Sequence, residues 1–374
     1  MHRILYALTS HGLGHLTRSL AIARELRVLY AQVEIVVATS IPEARVARDL
    51  PGPFTYRAVD YEPGTRQRTC FELDLDATRQ AYRQFMAERD ARLRAEERYL
   101  RETGCSAVVS DIPALPVCAA ARAGLPAIGI ANFTWDWILE PLFAGHDTSV
   151  PERLAADYAQ GTIHLRLPFG PDSSPFPRSE AAPLVSRRAT LDAASLRASL
   201  GIPAVEAEAL VAVCPGGWDP AAWSLIHVPD CQGLRFVAVG NLPITADAPI
   251  HALPHDLPPG IAFPDLVAAA DVVLAKPGYG IASECASHGT ALVSIERPGF
   301  RETPVLLDTF RALGPCTEMS LRDFFAGRWE APLRAALESR AAWADVPHDG
   351  ARRVARRLGE LLELPAPDRE GGVG

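Results

Sequence analysis

Short apolar runs, each closed by a glycine or proline turn, alternate along this chain with longer segments of helical spacing. Residues 4–8 are apolar and predict a strand. The turn His11-Gly12-Leu13-Gly14-His15 follows, and Leu16, Leu20, Ala23, Leu26 and Leu29 then recur at helical intervals. Residues 33–38 are apolar and mostly β-branched, so a second buried strand follows the first helix. Strand, turn, helix, strand in this order is how a doubly wound parallel sheet begins. Residues 74–102 are rich in Arg, Glu and Ala and lack Pro and Gly, which predicts one long, partly exposed helix. Strands at 106–110 and 127–131 flank a helix at 113–122, and Asp111 stands at the carboxyl end of the first of them.

The pattern then breaks. Residues 167–183 are crowded with proline and serine and read as a connector. A second series follows, with a helix at 191–200 and strands at 209–214, 234–239, 271–275 and 291–295. Helices are expected at 263–270, 281–288 and 351–362, and Pro277-Gly278-Tyr279-Gly280 forms the turn before the second of these. The fold class expected is α/β: two Rossmann-like, doubly wound parallel-sheet domains facing across a cleft. The boundaries are residues 1–165, a linker at 166–190, a second domain at 191–350, and a terminal helix with a disordered tail at 351–374.

A length of 374 residues suits two domains. Hydrophobic residues at 48% allow each its own core, and a net charge of −8 lacks the basic footprint of a nucleic-acid binder. Seven cysteines include no CxxC pair or metal-type cluster, so they read as reduced core thiols and no metal or cofactor is expected. No signal-peptide pattern opens the chain, and no apolar stretch reaches the ~18 residues of a transmembrane helix. A cytoplasmic protein is the expectation. Oligomeric state is not legible.

Three groups of residues carry candidate chemistry. At the first turn, Gly12 and Gly14 let the backbone approach a ligand, and the next helix points its positive end there. His11 or His15 there is placed to act as a general base, with Arg18 one turn on. At the carboxyl ends of two later strands stand Asp111, Asn132, Trp135 and Asp136. Asp111 alone also fits a helix cap, and the tryptophans fit either a sugar platform or packing. In the second half, Lys276, Pro277, Gly278, Tyr279 and Gly280 lead into a helix carrying Ser283 and Glu284. A glycine turn feeding a helix N-terminus is an anion site that a diphosphate would fill, and Glu284 can accept from ribose hydroxyls. Gly216 and Gly217 offer a second close-approach turn, and Arg301 and Glu302 come from the loop after the next strand.

Residues 270–280 with Ser283 and Glu284 resemble the donor signature of GT-B glycosyltransferases, notably the peptidoglycan N-acetylglucosaminyltransferase group. The run 10–18, Ser110-Asp111 and residues 132–136 resemble the glycosyltransferase-like N-terminal domain of plant L-arabinokinases. Together these cover roughly residues 3–140 and 205–310. The resemblance implies a UDP diphosphate at the 278–281 helix start, ribose on Glu284, and a base at the position of His15. His11 departs from the pattern, and which histidine acts is left open. No counterpart of the kinase half is present, so sugar kinase activity is not implied. The function expected is metal-independent transfer of a sugar from a nucleoside diphosphate donor to an acceptor hydroxyl. A non-catalytic sugar-nucleotide-binding module and a UDP-sugar 2-epimerase are the alternatives.

Overall fold

Every apolar run named above becomes an inner strand of one of two parallel sheets. The computed structural model describes residues 2–202, 208–216, 223–240, 242–254, 257–339 and 343–365. The chain divides into two compact units. The first takes in residues 1–66, 74–186 and 349–374, and the second residues 67–73 and 187–348.

The elements run β1 (His2–Leu8), α1 (Leu13–Leu29), β2 (Val33–Thr39), α2 (Glu43–Asp49), β3 (Thr55–Ala58), β4 (Gln67–Thr69), β5 (Glu72–Leu73), α3 (Leu75–Glu102), β6 (Ala107–Asp111) and α4 (Ala114–Ala123). Then come β7 (Ala127–Ala131), α5 (Trp135–Phe143), α6 (Ser149–Tyr158), β8 (Ile163–Arg166), β9 (Ser179–Ala181), α7 (Ala193–Leu200), β10 (Ala209–Cys214), β11 (Leu234–Val239) and β12 (Ile250–Leu253). The remainder is α8 (Phe263–Ala269), β13 (Val272–Ala275), α9 (Tyr279–His288), β14 (Ala291–Ile295), α10 (Glu302–Arg311), β15 (Cys316–Met319), α11 (Leu321–Phe325), α12 (Glu330–Glu338) and α13 (Gly350–Leu361).

The first sheet is ordered β3-β2-β1-β6-β7-β8-β9, and the second β12-β11-β10-β13-β14-β15. Every pairing in both is parallel. Helices cover strands on both faces in such sheets, which is why β1, β6, β7, β13 and β14 read as unbroken apolar runs. In each unit the strand order reverses beside the first strand, between β1 and β6 and between β10 and β13. Loops at the carboxyl ends of strands flanking such a reversal line the ligand crevice of doubly wound folds.

The strands that hydropathy did not announce, β3, β9, β12 and β15, are sheet edges, with β8 next to one. An edge strand is paired on one side only and does not require a continuous apolar sequence. Within residues 166–190, Ser179–Ala181 pairs with β8 as the last strand of the first sheet. Two segments cross between units in sequence. The hairpin β4–β5 belongs to the second unit, where Phe71 packs against Trp223, Phe324 and Phe325. Helix α13 belongs to the first unit and lies on α1, with Gly359 against the Tyr30 ring, where a Cβ would come within 2.0 Å of the hydroxyl.

Both site helices start earlier than their spacing suggests. Helix α1 begins at Leu13, which places Gly14 and His15 in its first turn, and α9 begins at Tyr279. All seven cysteines are free thiols, and all but Cys316 are buried. Among the described residues, no helix is long and apolar enough to cross a membrane.

Candidate functional site

At the first sheet's reversal, the β1–α1 turn meets the end of β6. Gly12 takes φ +113°, where a Cβ would be strained, and α1 has no side-chain cap. The first two turns of α1 then deliver His15, Arg18 and Ser19 to one fully buried carboxylate, Asp111. His15 Nδ1 lies 2.8 Å from Asp111 Oδ1. Arg18 donates from Nε to Oδ2 and from Nη2 to Oδ1, both at 2.7 Å, and Ser19 Oγ donates to Oδ2 at 2.6 Å. Arg18 Nη1 also donates to Asn132 Oδ1 at 2.7 Å, and Asn132 Nδ2 to the Phe169 carbonyl at 3.2 Å.

This geometry decides a tautomer. Arg18 Nη2 stands 2.8 Å from His15 Nδ1 as well. A guanidinium only donates, and the carboxylate only accepts. With Oδ1 facing Nδ1, the proton sits on Nδ1 and both nitrogens donate to the same oxygen. The lone pair is then on Nε2, which meets no hydrogen-bond partner among the described residues, and the His15 ring edges against Phe133. Burial alone would raise the Asp111 carboxyl, but Arg18 and His15 outweigh it and hold it well below the usual carboxylate range. The cap of α4 is Pro113, so Asp111 is committed to α1 rather than to capping its own helix.

His11 is placed differently. Thr65 Oγ1 lies 2.8 Å from its Nε2, and its ring stands edge-on to Trp135 at 5.3 Å. Trp135 is 1% exposed and backs His11, so its indole presents no open face. Asp136 lies in the first turn of α5 with Oδ1 buried and unpartnered, and burial raises its carboxyl. His11 and His15 bond to Thr65 and to Asp111 instead. Asp111 is the acid bonded to His15.

In the second unit, Gly216 ends the β10 edge and Lys276 the β13 edge. Gly216 takes φ +73°, and a Cβ there would meet Lys276 Cε at 2.9 Å. Gly217 lies outside the described residues. Helix α9 follows Pro277 and Gly278 with no side-chain cap and no acidic residue in its first turn, which leaves the positive end of its dipole without a side-chain counter-charge from its own first turn. Gly278 is extended, and a Cβ there would meet nothing within 4 Å. Burial, with Arg297 close by, pulls the Lys276 ammonium down to about 8. Burial likewise pulls Arg297 down to about 10. Arg297 donates to the Cys70 carbonyl at 2.9 Å and stacks on Phe300, its Cζ 3.3 Å from the ring centroid.

Further along α9, Ser283 Oγ donates to the Gly280 carbonyl at 3.0 Å, and Tyr279 is buried. Glu284 is 3% exposed and paired with Arg187. Arg301 caps α10 and Glu302 opens it; the Glu302 charge supports both Lys276 and Arg297. Sequence reasoning missed Arg187, Glu62 and Thr65. Arg187 is one of two arginines after a proline-rich stretch, and the others lie in an irregular loop with no spacing to mark them. Among the described residues, no group of three or more His, Cys, Asp or Glu could hold a metal ion.

No family model matches the chain. Among curated proteins, an L-arabinokinase of Arabidopsis thaliana is 29% identical over 337 residues, covering 89% of this chain and 32% of that protein. The chain thus spans about a third of the length of the relative it matches. Among solved structures, the calicheamicin glycosyltransferase CalG4 aligns with a TM-score of 0.60 at 17% identity, over 98% of this chain and all of that one (100%). The glycosyltransferase of kitacinnamycin aligns at 0.64 and 16%, over 96% of this chain and 99% of that one. Arabidopsis thaliana UGT89C1, complexed with UDP, aligns at 0.58 and 14%, over 99% and 96% respectively. These likenesses show the fold, the two Rossmann-like α/β units of GT-B glycosyltransferases.

Proposed function

We propose that this chain is a glycosyltransferase that moves a sugar from a nucleoside diphosphate donor, UDP-sugar in the first instance, to an acceptor hydroxyl. The acceptor is bound by the first unit and the donor by the second. The observation that carries this reading is the His15–Asp111 pair at the β1/β6 reversal, with Nδ1 on a buried carboxylate and Nε2 left open. That is the arrangement of a general base whose tautomer and orientation are set by an acid. His15 is the base. His11, held by Thr65 and Trp135, shapes the site.

The acceptor hydroxyl gives its proton to His15 Nε2 as its oxygen bonds to the anomeric carbon. The bond from that carbon to the phosphate oxygen breaks, and the electron pair leaves with the diphosphate. The uncapped start of α9, with Lys276 and Arg297 beside it, stabilises the growing negative charge. Those fixed charges do the work a metal ion does in other transferases, so turnover is expected in chelator. Glu284, held by Arg187, takes the ribose hydroxyls. The UDP bound by the structurally similar UGT89C1 supports the choice of uridine.

The test is UDP release from a panel of UDP-sugars, with and without sugar, polyol and phenolic acceptors, for the wild type and His15→Ala. Release that needs both an acceptor and His15 is the expected result. A binding module without turnover is the second reading, favoured by Arg187 already occupying Glu284. Tight UDP binding with no donor consumed would establish it.

A further inference from the structure

One carboxyl of the first unit is not used by the reaction above and is buried without a well-formed hydrogen bond. Glu62, in the irregular segment between β3 and β4, is 7% exposed, and both of its oxygens are buried. Thr9 and Trp135 are its polar neighbours, and Tyr82 is close enough to sense its charge. Trp135 Nε1, which faces Glu62, and the Tyr82 hydroxyl, which faces the Gly64 backbone, are themselves buried without a well-formed hydrogen bond. Unsatisfied polar groups gathered in one place cost stability and are found where function requires them.

The chain beside Glu62 is tied to the candidate site. Gly64 sits so close to His11 that a Cβ would come within 2.6 Å of Nδ1, and Thr65 holds His11 Nε2. The charged and titratable groups around Glu62 are Asp60 on its own loop, Asp111 on β6 with His15 and Arg18 bonded to it from α1, and His11 in the β1–α1 turn. Tyr82 on α3, Arg66 at the loop's end, Tyr158 on α6 and Asp136 on α5 complete the set. The acids nearest in effect are like-charged, and Arg18 is bonded to Asp111.

We propose that Glu62 is a positioning residue of this half-site: as the neutral acid it seats residues 61–65 against His11, and as a carboxylate it unseats them. Burial pushes its carboxyl up to about 8, Thr9 and Trp135 pull the other way, and Asp60 and Asp111 add to the rise. A proton on Glu62 is therefore kept at neutral pH and lost in mild alkali. The effect on His11 stands independently of the transferase reading; the effect on turnover rests on it.

The experiment is carbon-13 NMR of the full chain labelled at histidine Cε1, from about pH 6 to 9.5, with the His11 signal identified by its loss in His11→Gln. The expected result is an inflection in the His11 signal near pH 8 that is absent in Glu62→Gln, which keeps the shape and cannot ionise. A purely structural Glu62 would alter melting without that inflection. No inflection in the wild type, or the same one in Glu62→Gln, overturns the proposal, and the wild-type arm decides even if the variant fails to fold. In the UDP-release assay at saturating donor, the wild type should lose about fivefold between pH 8 and 9 where Glu62→Gln does not. Absence of turnover at every pH would count against the transferase and leave the NMR result to decide Glu62.

Discussion

Arg187 closes on a single oxygen of Glu284: its Nε and Nη2 both stand 2.7 Å from Oε1. The carboxylate is 3% exposed while the Arg187 side chain is 25% exposed, so the pair sits at the rim of the second unit's candidate site. Held this way, Glu284 keeps Oε2 for another donor. Arg187→Ala would leave the buried carboxylate unpaired and cost about 2 kcal/mol, less than a fully buried pair because the arginine is partly in water. UDP affinity should fall at least fivefold by titration calorimetry. Unchanged or tighter UDP binding in Arg187→Ala would mean that the arginine competes with the ligand for Glu284.

His15→Ala should lower the rate of UDP release by about 10²–10⁴-fold with only a modest fall in melting temperature, since Asp111 loses one donor but keeps Arg18 and Ser19. A fall of less than tenfold would move the base to His11 or to another group.

Asp111→Asn acts on both stability and rate, because Arg18 then loses its counter-charge in a buried place. The loss should be about 3 kcal/mol at neutral pH. The folded-state pKa of Asp111 is depressed, so its contribution is present above the ordinary carboxylate pKa and is lost as pH falls through the lower folded value. The melting difference between wild type and Asp111→Asn should therefore be flat from about pH 8 to 5 and narrow below about pH 4. Scanning calorimetry across that range checks it.

Lys276 ties donor binding to pH. Its amine is depressed from 10.5 to about 8, and a diphosphate favours the charged form. Binding UDP near pH 8 should take up a fraction of a proton, visible by calorimetry in buffers of different ionisation enthalpy. Affinity should fall about tenfold between pH 7 and 9.5, and Lys276→Met should bind weakly with a flat profile. The same sign makes Lys276→Met more stable than wild type at pH 7, with the gain fading toward about pH 10 as the wild-type amine loses its charge.

The two glycines of the second unit should respond differently to alanine. Gly278 is extended and open, so Gly278→Ala leaves melting unchanged but places a methyl where a phosphate would approach the α9 amides; UDP affinity drops about tenfold or more. Gly216 is left-handed and faces Lys276, so Gly216→Ala should cost about 1 kcal/mol and displace the lysine. If both variants lose stability and affinity in parallel, α9 does not start an anion site.

The alternation of apolar runs and glycine turns by itself determined the two parallel sheets, their inner strands and the turns that end at their carboxyl edges. Burial on both faces forces the apolar runs, and left-handed or close-approach backbone forces glycines such as Gly12 and Gly216. Edge strands such as β3 and β12 were silent because one-sided pairing leaves their composition free. Only the tertiary structure decided which polar groups meet. Asp111 binds His15 from 96 positions away, Arg187 binds Glu284 from 97, and Glu62 loses its water beside Trp135. Side-chain partnership and burial depend on which strand ends adjoin, and strand order is a long-range property that local spacing does not encode.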